Sequence, residues 1–165
     1  MFVSTKTYGH DLGFAVAYRQ WRAESHCHLI HGYSLAFHIE FQSETLDVRN
    51  WVVDFGSLRT FKEKLTEWFD HTLLVAEDDP AIATFLLLGS KGLAKVVFVE
   101  RTGCEGLAKF LYDYLEEIWL PENGYKGTDR CVTVREVMVS EHGANSAKFL
   151  PTPRLYVGRA GEEPV

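Results

Sequence analysis

The segment Ser34–Phe41 alternates without a break. Leu35, Phe37, Ile39 and Phe41 fall on one side of an extended chain, and Ala36, His38 and Glu40 on the other. Side chains alternate with period two along a strand, so this is a half-buried strand with one dry face. That face must be covered. Further along, the period changes. Leu58, Phe61, Leu65, Trp68 and Phe69 recur at helical spacing, which predicts a helix over Leu58–Phe69 with an apolar stripe.

The other elements follow from the same periods and from stop signals. Phe2–Tyr8 and Leu12–Tyr18 read as short strands joined by a turn at Gly9-His10-Asp11, and Trp51–Phe55 as another short strand. Asp79-Pro80 places a helix start, with Asp as the cap and Pro in the first turn, and that helix ends near Gly89. Lys95–Val99 is a strand. Thr102-Gly103-Cys104-Glu105 fits a capping box, followed by the stripe Leu107, Phe110, Leu111, Leu115 and Ile118, with Pro121 as the stop. Cys131–Glu141 is rich in β-formers, and Ala147–Leu150 makes a last short strand. Strands, grouped helices and strands again predict an α+β domain on an antiparallel sheet, rather than βαβ units. The uncovered sheet edges invite lateral assembly.

Composition sets limits. The chain of 165 residues is long enough for one domain, with 46% hydrophobic and 24% charged residues, which excludes a disordered chain. Seventeen Lys and Arg against 23 Asp and Glu leave a net charge of -6, a poor basis for holding nucleic acid through its phosphates. Cys27, Cys104 and Cys131 form neither a disulfide framework nor a paired zinc motif, and suit a reducing compartment. The first twenty residues carry no signal peptide and no apolar run reaches membrane-spanning length, so the expectation is a soluble, cytoplasmic protein. The expected domain is 1–158, with 159–165 a short polar tail.

Polar residues concentrate between Glu24 and Tyr33. His26, Cys27, His28 and His31 lie within six positions, a density suited to zinc as much as to a solvated loop. Asp70-His71 places a carboxylate beside an imidazole, as in general-base pairs, or marks a turn. Glu141 closes an apolar strand, where a carboxylate needs a partner. It either turns to water or pairs with a planar amidine-like group such as a pterin edge.

Taken in order, these residues resemble the 6-pyruvoyltetrahydropterin synthase family, including the 6-carboxytetrahydropterin synthase (QueD) branch. The matching pieces are Phe14-Ala15-Val16-Ala17-Tyr18-Arg19, then Cys27 to Tyr33, then Asp54-Phe55-Gly56-Ser57-Leu58, Asp70-His71, Gly103-Cys104-Glu105, and Val137 to Glu141. The resemblance implies a T-fold: a four-stranded antiparallel sheet with helices on one face. Oligomerisation would close the sheets into a barrel, commonly a hexamer with sites between subunits. It implies a lyase acting on 7,8-dihydroneopterin triphosphate, on the route to queuosine and other 7-deazaguanines. Pyruvoyl-forming members feed tetrahydrobiopterin instead.

It also implies roles. Cys27, Asp70 and His71 match the groups that move protons, and Glu141 and Glu105 match carboxylates at the pterin. Zinc in the family is held by three His. Here His31 stands at one of those positions, and Tyr18 and Tyr33 at the other two. Three outcomes stay open. His26 or His28 rebuilds a site with His31, or phenol hydroxyls bind substrate where zinc would sit, or pterin binding survives with catalysis altered or lost. The segment 76–102 is longer than in compact members.

Overall fold

A computed structural model describes residues 1–127 and 130–152. The expected domain end at 158 and the tail 159–165 lie outside the described residues.

The element order is β1 (Phe2–Tyr8), β2 (Phe14–Tyr18), β3 (His31–Ser43), α1 (Arg59–Phe69), β4 (Thr72–Ala76), α2 (Ile82–Ser90), β5 (Lys95–Val99), α3 (Cys104–Tyr114), β6 (Thr133–His142) and β7 (Asn145–Phe149). The long strand β3 organises the rest. Its second half pairs antiparallel with β1 on one side and β6 on the other, and β7 continues beyond β6. These four strands are the antiparallel sheet of a T-fold. The first part of β3 pairs with β2, which carries β4 and then β5 in parallel.

The predicted alternation in β3 is seen in the packing. Leu35, Phe37, Ile39 and Phe41 are fully buried. They meet Phe61, Leu65 and Phe69 of α1 and Leu107 and Leu111 of α3 in one core. Phe37 sits between two rings, 5.4 Å from Phe14 and 4.9 Å from Phe69. Each such side chain contributes roughly 1.5–3 kcal/mol on leaving water. On β6 the apolar spacing Val134, Val137, Val139 breaks the alternation. A bulge explains it: Glu40 pairs with Glu136 and Phe41 with Val134, so Arg135 is extra and all three valines face inward.

Several expectations need correcting. Trp51–Phe55 is not a strand. Asp47 accepts backbone N–H groups of Arg49 and Trp51, Asn50 takes a left-handed conformation, and the segment turns while Val52 and Val53 fill the core. Only these two valines are buried, while Trp51 and Phe55 stay exposed. β2 starts at Phe14, because His10–Leu12 forms a 3-10 turn closed by Gly13 at φ 73. β4–α2–β5 is a βαβ unit, since the two strands are parallel, although the main sheet is antiparallel. The capping box does not form. Gly103 is the cap of α3, and the Thr102 hydroxyl donates instead to the Arg19 carbonyl. Pro121 lies in a last turn, Leu120–Glu122, after a wide π turn over Leu115–Trp119. Among the described residues, no helix is long and apolar enough to cross a membrane.

Candidate active site

The dry face of β3 runs on into a polar one at its start. Positions 31 and 33 share the face of Leu35 and Phe37 by the strand period. Across β2, Tyr18 pairs directly with His31, and Val16 with Tyr33. Three rings therefore gather: Tyr18 to His31 at 5.2 Å between centroids, His31 to Tyr33 at 5.5 Å and Tyr18 to Tyr33 at 6.1 Å. His142, exposed at the end of β6, lies 6.1 Å from Tyr33.

Glu141 joins this group from β6. Ser140 pairs with Ser146 and His142 with Asn145, so Glu141 is the extra residue of a second bulge, a device that re-aims a side chain. The fully buried Tyr18 donates its hydroxyl to Glu141 Oε1 at 2.5 Å. Burial raises the Tyr18 pKa, and the hydrogen bond to Glu141 raises it further. Burial, then Glu141 and Cys27, raise that of Tyr33. Cys104, buried at the start of α3, lies within hydrogen-bonding reach of the Glu141 and Ala147 backbone. Burial and the Glu141 charge push its thiol up to about 12. Glu141 thus accepts from the Tyr18 hydroxyl, with the Tyr33 phenol and the Cys104 thiol close by.

Cys27 reaches the same neighbourhood from the loop after β2. His26–His28 forms one 3-10 turn capped by the Ser25 hydroxyl, and the Cys27 carbonyl accepts the Gln20 N–H at 2.9 Å. Gln20 Nε2 donates to the Thr102 carbonyl at 3.2 Å. This contact requires Gly103: its φ is 88, and a Cβ there would fall 1.9 Å from Gln20 Nε2. The segment 76–102 clamps the loop from the other side. Arg19 forks onto the buried Asp79 at 2.8 and 2.6 Å, holding that carboxyl below its usual range, while Trp21 and Arg22 both bind Asp78.

The remaining site expectations fall elsewhere. His71 Nδ1 and Asp70 Oδ1 lie 2.6 Å apart, so the pair does interact. The ring is 86% exposed, and His71 holds a left-handed φ of 54. A non-glycine residue there costs about 1 kcal/mol, sustained here by the Lys95 ammonium on the carbonyls of Thr66 and Asp70. The Val16–Thr72 register puts His71 near the start of β4, about 10 Å along the strands from Tyr18. Among the described residues, no hydrogen bond or ring contact joins the pair to the cluster. Glu105 is exposed and lines a cleft with Trp68, Lys109 and Phe110, away from Glu141. The group beside Glu141 is its neighbour Cys104, buried as the first residue of α3. The direction of the first turn of α3 decides between them, and that is a tertiary property.

The donor set does not fit the zinc that the resemblance implies. His31 Nδ1 lies 2.7 Å from the Leu29 carbonyl and so carries its proton there, leaving Nε2 as one imidazole lone pair. The Tyr18 hydroxyl is committed to Glu141. His28 turns its Nδ1 to the Ser25 carbonyl, and among the described residues His26, His28 and His31 do not form a three-donor group that could hold a metal. Among the described residues, a metal-like cluster of donors stands only on the opposite face of the sheet, at His38, Glu40 and Glu136. Its charges are already matched, by Arg135 on Glu40 and Lys148 on Glu136.

Comparisons with known proteins agree with this architecture. A family model described as 6-pyruvoyl tetrahydropterin synthase matches residues 10–151. The 6-carboxy-5,6,7,8-tetrahydropterin synthase of Aquifex aeolicus is 29% identical over 145 residues, covering 87% of this chain and 85% of its own. An uncharacterized protein from Wolinella succinogenes superposes with a TM-score of 0.74 at 20% identity, over 92% of this chain and 98% of its own. The 6-pyruvoyl tetrahydropterin synthase of Caenorhabditis elegans gives 0.54 at 12% identity, over 92% and 94%.

Proposed function

The chain belongs to the 6-pyruvoyl tetrahydropterin synthase family, and from that premise we propose that it is a lyase of the 6-carboxytetrahydropterin synthase type. Its substrate is 7,8-dihydroneopterin triphosphate, which with water gives 6-carboxytetrahydropterin, acetaldehyde and triphosphate. The pathway served is that of 7-deazaguanine precursors such as queuosine's. The supporting observation is the bulged Glu141, an acceptor steadied by Tyr18 beside Cys27, Tyr33 and His31.

The roles are these. Glu141 takes two hydrogen bonds from the amino-pyrimidine edge of the pterin, the charge-assisted pairing that a planar amidine offers a carboxylate. The Cys27 thiol moves a proton on the substrate side chain. Asp70 orients His71, whose free nitrogen acts as the base. Because His71 is exposed and stands about 10 Å along the strands from Tyr18, the dyad serves the site of a neighbouring copy in a homohexamer. No step here passes through a metal.

The test is turnover of dihydroneopterin triphosphate, followed by mass spectrometry of the pterin product. Cys27→Ala abolishes it and leaves pterin binding intact; unchanged turnover removes Cys27 from the mechanism. Mixed oligomers of Cys27→Ala and His71→Ala protomers regain activity that neither variant has alone. No recovery rules out the shared site. A second reading, favoured by Tyr18 and Tyr33, is a zinc-free homologue that binds pterin with altered or lost catalysis. Pterin binding without product identifies it.

A further inference from the structure

Tyr18 and Tyr33 differ in what they have left to offer. The Tyr18 hydroxyl is spent: the ring is fully buried, and turning it toward His31 would strand the Glu141 carboxylate. The half-buried Tyr33 hydroxyl has no hydrogen-bond partner among the described residues, while its ring is held edge-on to His31 and tilted against Tyr18 and His142. Beside it, His31 keeps Nε2 as an acceptor, because its Nδ1–H is given to Leu29.

A hydroxyl donor and an imidazole acceptor, side by side on one strand face, complement a group that both accepts and donates. An alcohol does this; a metal ion does not, since it needs several lone pairs at once. We propose that this site holds its ligand without a metal ion, with the Tyr33 hydroxyl and His31 Nε2 together gripping one hydroxyl on the side chain of the bound pterin. The inference rests on the pterin reading above and adds what recognises the side chain. Glu141 reads the ring, and the Tyr33–His31 pair reads whether the ring carries a hydroxylated chain.

Two probes separate these parts: pterin without a side chain, and neopterin, which carries three side-chain hydroxyls. Binding is followed by pterin fluorescence on the full chain, purified without an affinity tag. Wild type prefers neopterin by about tenfold, the scale of a hydrogen bond to a group that is otherwise left unpaired. Tyr33→Phe keeps the ring contacts, leaves pterin affinity unchanged and brings that preference near one. Elemental mass spectrometry after incubation with zinc and gel filtration finds no stoichiometric metal. A preference that survives Tyr33→Phe overturns the proposal. So does stoichiometric zinc that His31→Ala removes. If wild type binds neither probe, the pterin reading itself falls, a result distinct from binding both equally.

Discussion

The two faces of β3 carry opposite kinds of site. On one face, His31 and Tyr33 continue the apolar row Leu35, Phe37, Ile39 and Phe41. Their polar groups sit at the end of a dry core, where Tyr18 and Glu141 satisfy each other at 2.5 Å. On the other face, His38 and Glu40 stand beside Glu136 with the donor types of a metal site, yet Arg135, Lys148 and Thr7 already partner them. The residue types that suggest a metal lie where cations have been supplied by the chain. The position where the resemblance implies a metal holds phenols. A donor's identity counts for less than what its neighbours have already claimed.

The largest expected effect tests the dry face itself. Phe37→Ala, between Phe14 and Phe69, lowers unfolding stability by about 3–5 kcal/mol in denaturant titration. A loss near 1 kcal/mol would mean that this face does not organise the core. Next comes the boundary between core and site. Glu141→Gln weakens pterin binding by about 1–3 kcal/mol in calorimetry. Equal affinity in the variant counts against Glu141 as the ring anchor.

Alkaline pH probes the same boundary without mutation. Cys104 has an ordinary pKa of 9.0 when unfolded and about 12 when folded, and Tyr18 is likewise raised above 10.0. Above those unfolded values the unfolded chain releases protons that the folded chain retains. The contribution is therefore complete below about pH 9 and fades as pH rises toward 12. Unfolding midpoints measured from pH 8 to 11 should fall. Cys104→Ala should flatten the first part of that fall, and a slope unchanged by this substitution would show that the thiol is not held in the buried position beside Glu141. The smallest effect belongs to the polar face. Lys148→Met costs about 1 kcal/mol by leaving the mostly buried Glu136 short of a cation, and added zinc raises the variant's melting temperature more than wild type's. Equal responses would show that the cluster does not act as one electrostatic unit.

Much of the fold was legible because it rests on period. The alternation in Ser34–Phe41, the helical stripe from Leu58 and the strand Lys95–Val99 each required only local spacing. Trp51–Phe55 misled because a loop that buries two valines shares its apolar composition with a strand, and Asp47 bonding to nearby backbone settled the matter. The capping box misled because Thr102 found a better partner in Arg19, distant in sequence. In the site, the Asp70–His71 contact was legible as adjacency, and the structure brings the two groups to 2.6 Å. Glu105 and Cys104 are adjacent as well, but only the helix direction shows which of them turns toward Glu141.

By itself, then, the sequence determined the strand and helix periods, the dry face of β3 and the ordered residues that place the chain in its family. These depend on spacing along the chain, which folding cannot change. Only the tertiary structure decided that Tyr18 is committed to Glu141 while Tyr33 stays available, that Asp78 and Asp79 clamp the loop bearing Cys27, and that His71 stands apart from both. The physical reason is common to all three. Each depends on which polar groups meet across distant segments, and a hydrogen bond, once made, removes a donor or acceptor from every other use.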